Sequence, residues 1–323
     1  MKILHVTTNY PTPEYPIFGI FVKEQVESLR TEGVECDVIY CDRKGRGTWM
    51  YLTYIPIIWW KVLTNKYDII HCHHALSALL LCCTLWPLFK KCIVSFQNDP
   101  TTEWKINLFS LCNLLFNKII LKNKSAYLAC PKCVYLPNGV NQDFFFPMDR
   151  NECISKVGLV LNKQYILFMD SNKWGRTQKR KDRFDSALML LRNEYGFANI
   201  EELCLYNTPR DLMPLYINAS SLHLISSDFE GSPNSVKECM CCNIPVVSTD
   251  VGNVKDMIGD IPGNMVVDEF TPEALAKAMA QILTAKDDNT NRRNLFLSKG
   301  YGMKETALSL VRLYESIVKK NRA

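Results

Sequence analysis

Short apolar runs alternate along the chain with longer segments whose apolar positions recur every three or four residues. Ile3 to Thr7 reads as a strand, and a loop carrying Pro11, Pro13, Pro16 and Gly19 follows it. From Ile20 to Thr31, Phe21, Val22, Val26 and Leu29 share one helical face, and Gly33 ends that helix. Strands follow at Glu35 to Cys41, Asp68 to Cys72 and Cys92 to Phe96, with an apolar helix from Ala75 between the last two. Glu103 to Lys124 carries a long helical pattern, Ala126 to Cys130 and Val134 to Leu136 read as extended, and Asn138-Gly139 makes a turn. After a joint from Phe146 to Asn162 the pattern restarts. Strands are expected at Tyr165 to Met169, Glu202 to Tyr206, Ser221 to Ile225 and Pro245 to Ser248. Helices are expected at Arg183 to Tyr195, Arg210 to Asn218, Ser235 to Cys242, Glu273 to Leu283 and Thr306 to Lys320.

Strands alternating with helices imply α/β architecture, with parallel sheets flanked by helices. The doubly wound unit occurs twice. The expected domains are residues 1–155, 156–305 and a closing helix at 306–323 that packs back on the first domain. In such sheets ligands bind at the carboxyl ends of strands, where the strand order reverses. Two such domains facing each other would place a ligand in the cleft between them.

Composition adds limits. A chain of 323 residues exceeds one ordinary core, and 47% apolar with 22% charged residues is a globular balance. The net charge of +5 is too mild to point to nucleic acid. Met1-Lys2 leads directly into a strand rather than a signal peptide, and the apolar run from Ala75 to Phe89 is interrupted by Pro87 and too short to span a bilayer. The 14 cysteines are spread through strands and helices, so they read as free, buried thiols of a cytoplasmic protein.

The most informative segment is Asp228-Phe229-Glu230-Gly231-Ser232-Pro233-Asn234-Ser235-Val236-Lys237-Glu238, which follows an apolar strand and opens a helix. Gly231 and Pro233 shape a tight turn, and Ser235 is a natural helix cap. First-turn amides can then face an anion such as a diphosphate, and carboxylates can accept paired sugar hydroxyls. Taken alone, Glu230 and Glu238 are also the acids that any helix N-terminus attracts.

Their surroundings carry a resemblance. Glu230, seven residues, Glu238, and then Asn243-Ile244-Pro245-Val246-Val247-Ser248-Thr249-Asp250-Val251-Gly252 resemble the donor-site signature of retaining family 4 glycosyltransferases. Three further segments match in order. They are Gly19-Ile20-Phe21 with Lys23-Glu24-Gln25, Tyr67-Asp68-Ile69-Ile70-His71-Cys72-His73, and Leu136-Pro137-Asn138-Gly139-Val140-Asn141 with Phe146-Pro147. The resemblance implies the GT-B fold of two facing Rossmann-like domains and transfer from a nucleotide-sugar donor. It implies that Glu238 holds the ribose hydroxyls and Glu230 those of the transferred sugar. Gly231, Ser232, Pro233, Asn234, Ser235 and Val236 would line the donor with backbone amides, and Gly19 would let the backbone approach the diphosphate. In the basic run Arg176-Thr177-Gln178-Lys179-Arg180-Lys181, Arg176 and Lys179 fit the family's spacing for cations that stabilise the leaving diphosphate. No metal and no cofactor are then expected.

The chain departs from the family where a histidine is usual: it has Gln97, with Asp99 as a substitute carboxylate. Gln97 can orient an acceptor hydroxyl but cannot act as a base; in front-face retaining transfer the departing phosphate oxygen takes that proton. His73 or His74 would also reach acceptor. His71, His73, His74 and Cys72 lack the second ligand cluster of a zinc site. The stretches Trp49 to Lys61 and Trp104 to Lys124 mix aromatics with lysines, so they are either core or a face for an anionic membrane, which would place the protein at its inner leaflet. The expected partners are a nucleotide sugar and a glycan or lipid-linked glycan. The rival readings are a nucleotide-sugar epimerase and a silent nucleotide-sugar binding protein.

Overall fold

The computed structural model describes residues 1–42, 47–101, 103, 107–124, 126–170, 177–285 and 291–319. The chain divides into two compact units, Met1–Gly139 with Met303–Ala323, and Val140–Gly302.

The first unit carries β1 (Lys2–Thr7), α1 (Ile20–Thr31), β2 (Glu35–Tyr40), α2 (Tyr54–Thr64), β3 (Ile69–His73), α3 (Ala75–Cys83), β4 (Cys92–Ser95), α4 (Phe109–Leu115), β5 (Lys118–Leu121) and β6 (Cys133–Tyr135). Short 3-10 turns lie at Thr48–Thr53, Trp86–Leu88 and Ala126–Ala129. Its sheet runs β2-β1-β3-β4-β5-β6, with every pairing parallel. Ile3 and Leu4 point to opposite faces, and each face is buried, which is why these strands read as continuous apolar runs.

The second unit holds α5 (Arg150–Lys156), β7 (Gln164–Asp170), α6 (Lys181–Asn193), β8 (Ile200–Tyr206), α7 (Met213–Ala219), β9 (Leu222–Ile225), α8 (Asn234–Cys241), β10 (Val246–Thr249), α9 (Val254–Ile258), β11 (Met265–Val267), α10 (Pro272–Thr284) and α11 (Arg292–Ser298). Its parallel sheet runs β11-β10-β9-β7-β8. The closing helix α12 (Met303–Lys319) belongs to the first unit and packs on α1 through Leu310, Tyr314 and Ile317.

Several elements differ from the sequence reading. Glu103 to Lys124 is not one helix: α4 stops at Leu115, and Asn117 turns to accept the Cys92 amide at 2.8 Å. Ile119, Ile120 and Leu121 then pair as a buried strand, where β-branched side chains pack well. Within the segment expected to be extended, Ala126–Ala129 is a 3-10 turn. The division between units falls at Gly139/Val140, ahead of the expected joint. Val140 already donates its amide to Tyr301, and Phe145 is fully buried in the second unit's core. All 14 cysteines are free. No helix among the described residues is long and apolar enough to cross a membrane.

Candidate functional site

In the second unit, β8 lies to one side of β7 and β9 to the other, so the strand order reverses between β7 and β9. The loops leaving these two strands are stitched together. The Asp228 amide donates to the Gln178 carbonyl at 2.8 Å, and Ser226 Oγ donates to the Lys179 and Arg180 carbonyls at 2.9 and 3.0 Å. Thr249 Oγ1, at the end of β10, donates to the Ser227 carbonyl at 2.8 Å. On this frame Lys179 Nζ meets Glu230 Oε1 at 2.6 Å, with 15% of each side chain exposed, and Ser227 Oγ donates to the same oxygen at 2.9 Å. The structure therefore brings together two of the residues singled out from sequence. Arg176 lies outside the described residues.

Glu238 is buried on α8 and accepts from Arg210 Nη1 at 2.6 Å. Arg210 lies over the Phe145 ring, 4.6 Å from its centroid, a cation–π position that holds the guanidinium in place. Ser235 is not the helix cap. Pro233 occupies that position with an extended backbone and no capping side chain, because proline pre-sets the turn and α8 starts one residue earlier than expected. The first amides of α8 thus have no side-chain cap. The buried Lys237 reaches back to the Ser232 carbonyl and Asn234 Oδ1, both at 3.2 Å, and ties the loop to the helix. Gly231 and the side chains of Pro233 and Val236 are buried, while Ser232, Asn234 and Ser235 are partly exposed. Gly252 must be glycine: its φ is +59° and a Cβ would lie 2.3 Å from the Gly231 carbonyl oxygen.

A narrow recess beside the Lys179–Glu230 pair is lined by His223, Ser226, Ser227 and Ser235. His223 Nδ1 faces the Leu167 carbonyl at 2.9 Å and so carries the ring proton. Burial lowers this histidine to about 4, and it stays neutral.

The equivalent reversal in the first unit lies between β1 and β3. Gly19, at φ +67°, follows β1, and its missing Cβ would fall 2.3 Å from the Asn9 carbonyl carbon. The loop's own packing therefore accounts for this glycine. His73 is buried rather than at the surface: its Nε2 shares a 2.9 Å hydrogen bond with His5 Nδ1. His71 uses both ring nitrogens, toward Tyr314 and Ser95, each at 2.7 Å. His5, His71 and His73 form the one grouping among the described residues close enough for shared metal ligation, but their stacked rings, the His5–His73 hydrogen bond and the bonds of His71 to Tyr314 and Ser95 make a neutral network. Gln97 Oε1 accepts from Asn138 Nδ2 at 3.1 Å. Asp99 Oδ1 accepts from the Thr101 amide at 2.9 Å and from its hydroxyl at 2.5 Å, a local turn closure. The buried carboxylate of this region is Glu103. It accepts from the amides of Ala75 at 2.7 Å and Asn98 at 2.9 Å, and from that of Gln97. Burial raises its pKa.

Residues 190–285 match the family described as "Glycosyl transferases group 1". This stretch contains Glu230, Glu238 and Arg210. The match lies within the second unit and covers less than a third of the chain. No curated protein matches the chain by sequence. Among solved structures, sucrose-phosphate synthase from Thermosynechococcus elongatus is 13% identical with a TM-score of 0.75, covering 99% of this chain and 100% of its own. A glycosyltransferase from Rickettsia africae is 16% identical with a TM-score of 0.72, covering 98% of each chain. HepE of Anabaena, solved in complex with UDP and glucose, is 14% identical with a TM-score of 0.74, covering 98% of this chain and 100% of that one. At such identities the likeness establishes the fold, which is GT-B.

Within the second unit, sequence reasoning missed Arg210 and the clamp on Asp228. Arg183, outside the matched stretch, bonds Asp228 Oδ1 at 2.8 Å and the Ser226 carbonyl at 2.6 Å, while Arg180 meets Asp228 at 3.2 Å. Arg183 sits on the apolar period of α6 and gave no separate signal. Pro209 before Arg210 was the available cue, since proline starts helical turns and places the next side chain at their first position.

Proposed function

We propose that the protein transfers a sugar from a nucleotide-sugar donor to a glycan or lipid-linked glycan, with retention at the anomeric carbon and without a metal ion. The observation that carries this reading is the Lys179–Glu230 pair beside the uncapped start of α8, at the strand-order reversal of the second unit. In the donor complex, Lys179 Nζ exchanges Glu230 for a diphosphate oxygen and offsets the charge that builds as the bond to the sugar breaks. Glu230, released, accepts from hydroxyls of the transferred sugar. Glu238, held in place by Arg210, accepts from the ribose hydroxyls. The first amides of α8 face the diphosphate.

The departing phosphate oxygen takes the acceptor's proton, so no side-chain base is required. The bonding of Asp99 to Thr101 favours this route, because that carboxylate is occupied within its own turn. Gln97 orients an acceptor hydroxyl. HepE, of the same fold, was solved with UDP-glucose, which makes UDP-sugars the first donors to try.

The test incubates the full chain with a panel of nucleotide sugars and glycan acceptors and analyses both products. A new glycoside with retained anomeric configuration supports the proposal. An isomerised sugar formed without acceptor would establish an epimerase instead, and an unchanged donor that nevertheless binds would establish a binding protein.

A further inference from the structure

Many of the exposed aromatic and aliphatic residues of the first unit lie on two pieces that touch each other, α2 and the turn after α3. On α2, Ile58 and Val62 are buried, whereas Ile57, Trp60 and Leu63 point to solvent, with Trp60 70% exposed. The helix thus turns an apolar stripe outward as well as inward. Beside it lies the turn after α3, where Leu85, Leu88 and Phe89 are exposed, Phe89 at 74%. The two pieces are joined: Trp59 Nε1 donates to the Thr84 carbonyl at 3.0 Å, and the Trp59 and Trp86 rings pack with centroids 5.1 Å apart. Leu85 has φ 62°, a left-handed conformation costly for a branched side chain, and it still faces outward. A lone exposed leucine is ordinary, but a joined patch of two helical pieces is not.

Within the two stretches that form this patch every charged side chain is a lysine, and the carboxylate of Asp37, from β2, meets Lys61. No Asp or Glu occurs between Gly47 and Tyr67 or between His71 and Asn98, while Lys61, Lys66, Lys90 and Lys91 do. Lys61 lies 3.6 Å from Asp37 and Lys91 bonds the Val318 carbonyl; Lys66 is exposed and Lys90 partly so. Neither stretch contains arginine. Protein interfaces favour arginine and are depleted of lysine, whereas indoles with flanking lysines suit the headgroup layer of an anionic bilayer.

We propose that this face, formed by α2 and the Leu85–Phe89 turn, docks on the surface of an anionic phospholipid bilayer. Trp60, Leu63, Leu88 and Phe89 enter the boundary between headgroups and acyl chains, and the lysines meet lipid phosphates. The docking is independent of the transferase reading and is measured without any nucleotide.

The test is co-sedimentation of the full chain with phosphatidylcholine vesicles, with and without phosphatidylglycerol. The expected result is binding to phosphatidylglycerol vesicles that weakens with added salt and on neutral vesicles. Trp60→Ser with Phe89→Ser should lose about tenfold or more in vesicle affinity, and Lys66→Gln about fivefold. Should a variant melt early, quenching of wild-type tryptophan fluorescence by brominated phosphatidylglycerol gives an independent reading, and its presence supports the proposal. Absence of vesicle binding, equal binding to neutral vesicles, or full binding by the double variant overturns it. A concentration-dependent dimer that Trp60→Ser abolishes, without vesicle binding, assigns the face to a second copy of this chain and also overturns it.

Discussion

The two units wind their sheets alike, yet the side chains gathered at their order reversals hold opposite chemistry. Between β1 and β3 stand His5, His71 and His73, all buried, bonded to one another or to Ser95 and Tyr314 and held neutral. Between β7 and β9 stand Glu230 with Lys179, and Asp228 with Arg180 and Arg183. Frame and topology decide where a site can form. Burial decides what it can carry: a fully enclosed imidazole gives up its proton, whereas a partly exposed ion pair keeps both charges available to exchange for a ligand.

The largest expected effect tests the neutral half. Burial lowers His5 to about 3 and His223 to about 4, and it lowers His71 and His73 as well, against 6.5 for an ordinary histidine. Every folded value is depressed, so below pH 6.5 the unfolded chain binds protons that the folded chain does not. The stability these groups contribute is present above pH 6.5 and is lost as pH falls through it, toward about 4 for His223 and about 3 for His5. Each histidine should remove about 1.4 kcal/mol per pH unit in that window. With three such histidines in the first unit against one in the second, the first should open at the higher pH. Pulse-labelling hydrogen exchange after incubation at stepped pH would check this, through peptides over 69–73 and 222–225. Simultaneous opening, or earlier opening of β9, would break the comparison.

The next effect tests the charged half. Lys179→Ala should slow transfer about a hundredfold to a thousandfold, the range for losing one preorganised electrostatic partner of a transition state. Glu230→Ala should likewise act mainly on turnover. Steady-state kinetics with a saturating donor checks both, and wild-type rates in either variant would remove the pair from the chemistry.

The sequence showed this site better than it showed the frame around it. Glu230, Gly231 and Lys179 were legible because a turn followed by a helix start, and a basic run after a strand, are local patterns. Arg210 and Arg183 were not, because each reaches its carboxylate across the fold, over 28 and 45 positions of chain. Asp149 accepting the Glu152 amide at 2.8 Å starts α5 with a helix-cap spacing that was readable in the stretch taken as a joint. Glu103 to Lys124 misled because the helical periodicity of its first half ran on into the apolar residues of β5. His73 looked available from its place at a strand end, and only the packing of β1 beside β3 shows it enclosed by His5 and His71.

Smaller effects sharpen the acceptor side. Gln97→Ala should lose about 1–3 kcal/mol of transition-state stabilisation, one hydrogen-bonding partner's worth. Asp99→Asn should cost less, since its carboxylate closes a turn on Thr101. A dead Asp99→Asn enzyme that binds donor normally, with the acidic limb of its pH profile displaced, would make Asp99 the base after all. The smallest expected effect is none: turnover should survive EDTA, because Lys179 supplies positive charge at the site. Loss of activity in chelator, restored by magnesium or manganese, would contradict that.

The central claim is that nucleotide recognition resides at the β7/β9 reversal and on α8. Isothermal titration of UDP, ADP and GDP into wild type, Lys179→Ala, Glu238→Gln and Gln97→Ala tests it most directly, with melting temperatures confirming that Arg210 tolerates its altered partner. The account predicts that at least one nucleotide binds wild type, that the Lys179 and Glu238 variants each weaken it about tenfold or more, and that Gln97→Ala leaves it unchanged. Undiminished affinity in both second-unit variants, or a loss confined to Gln97→Ala, would contradict it.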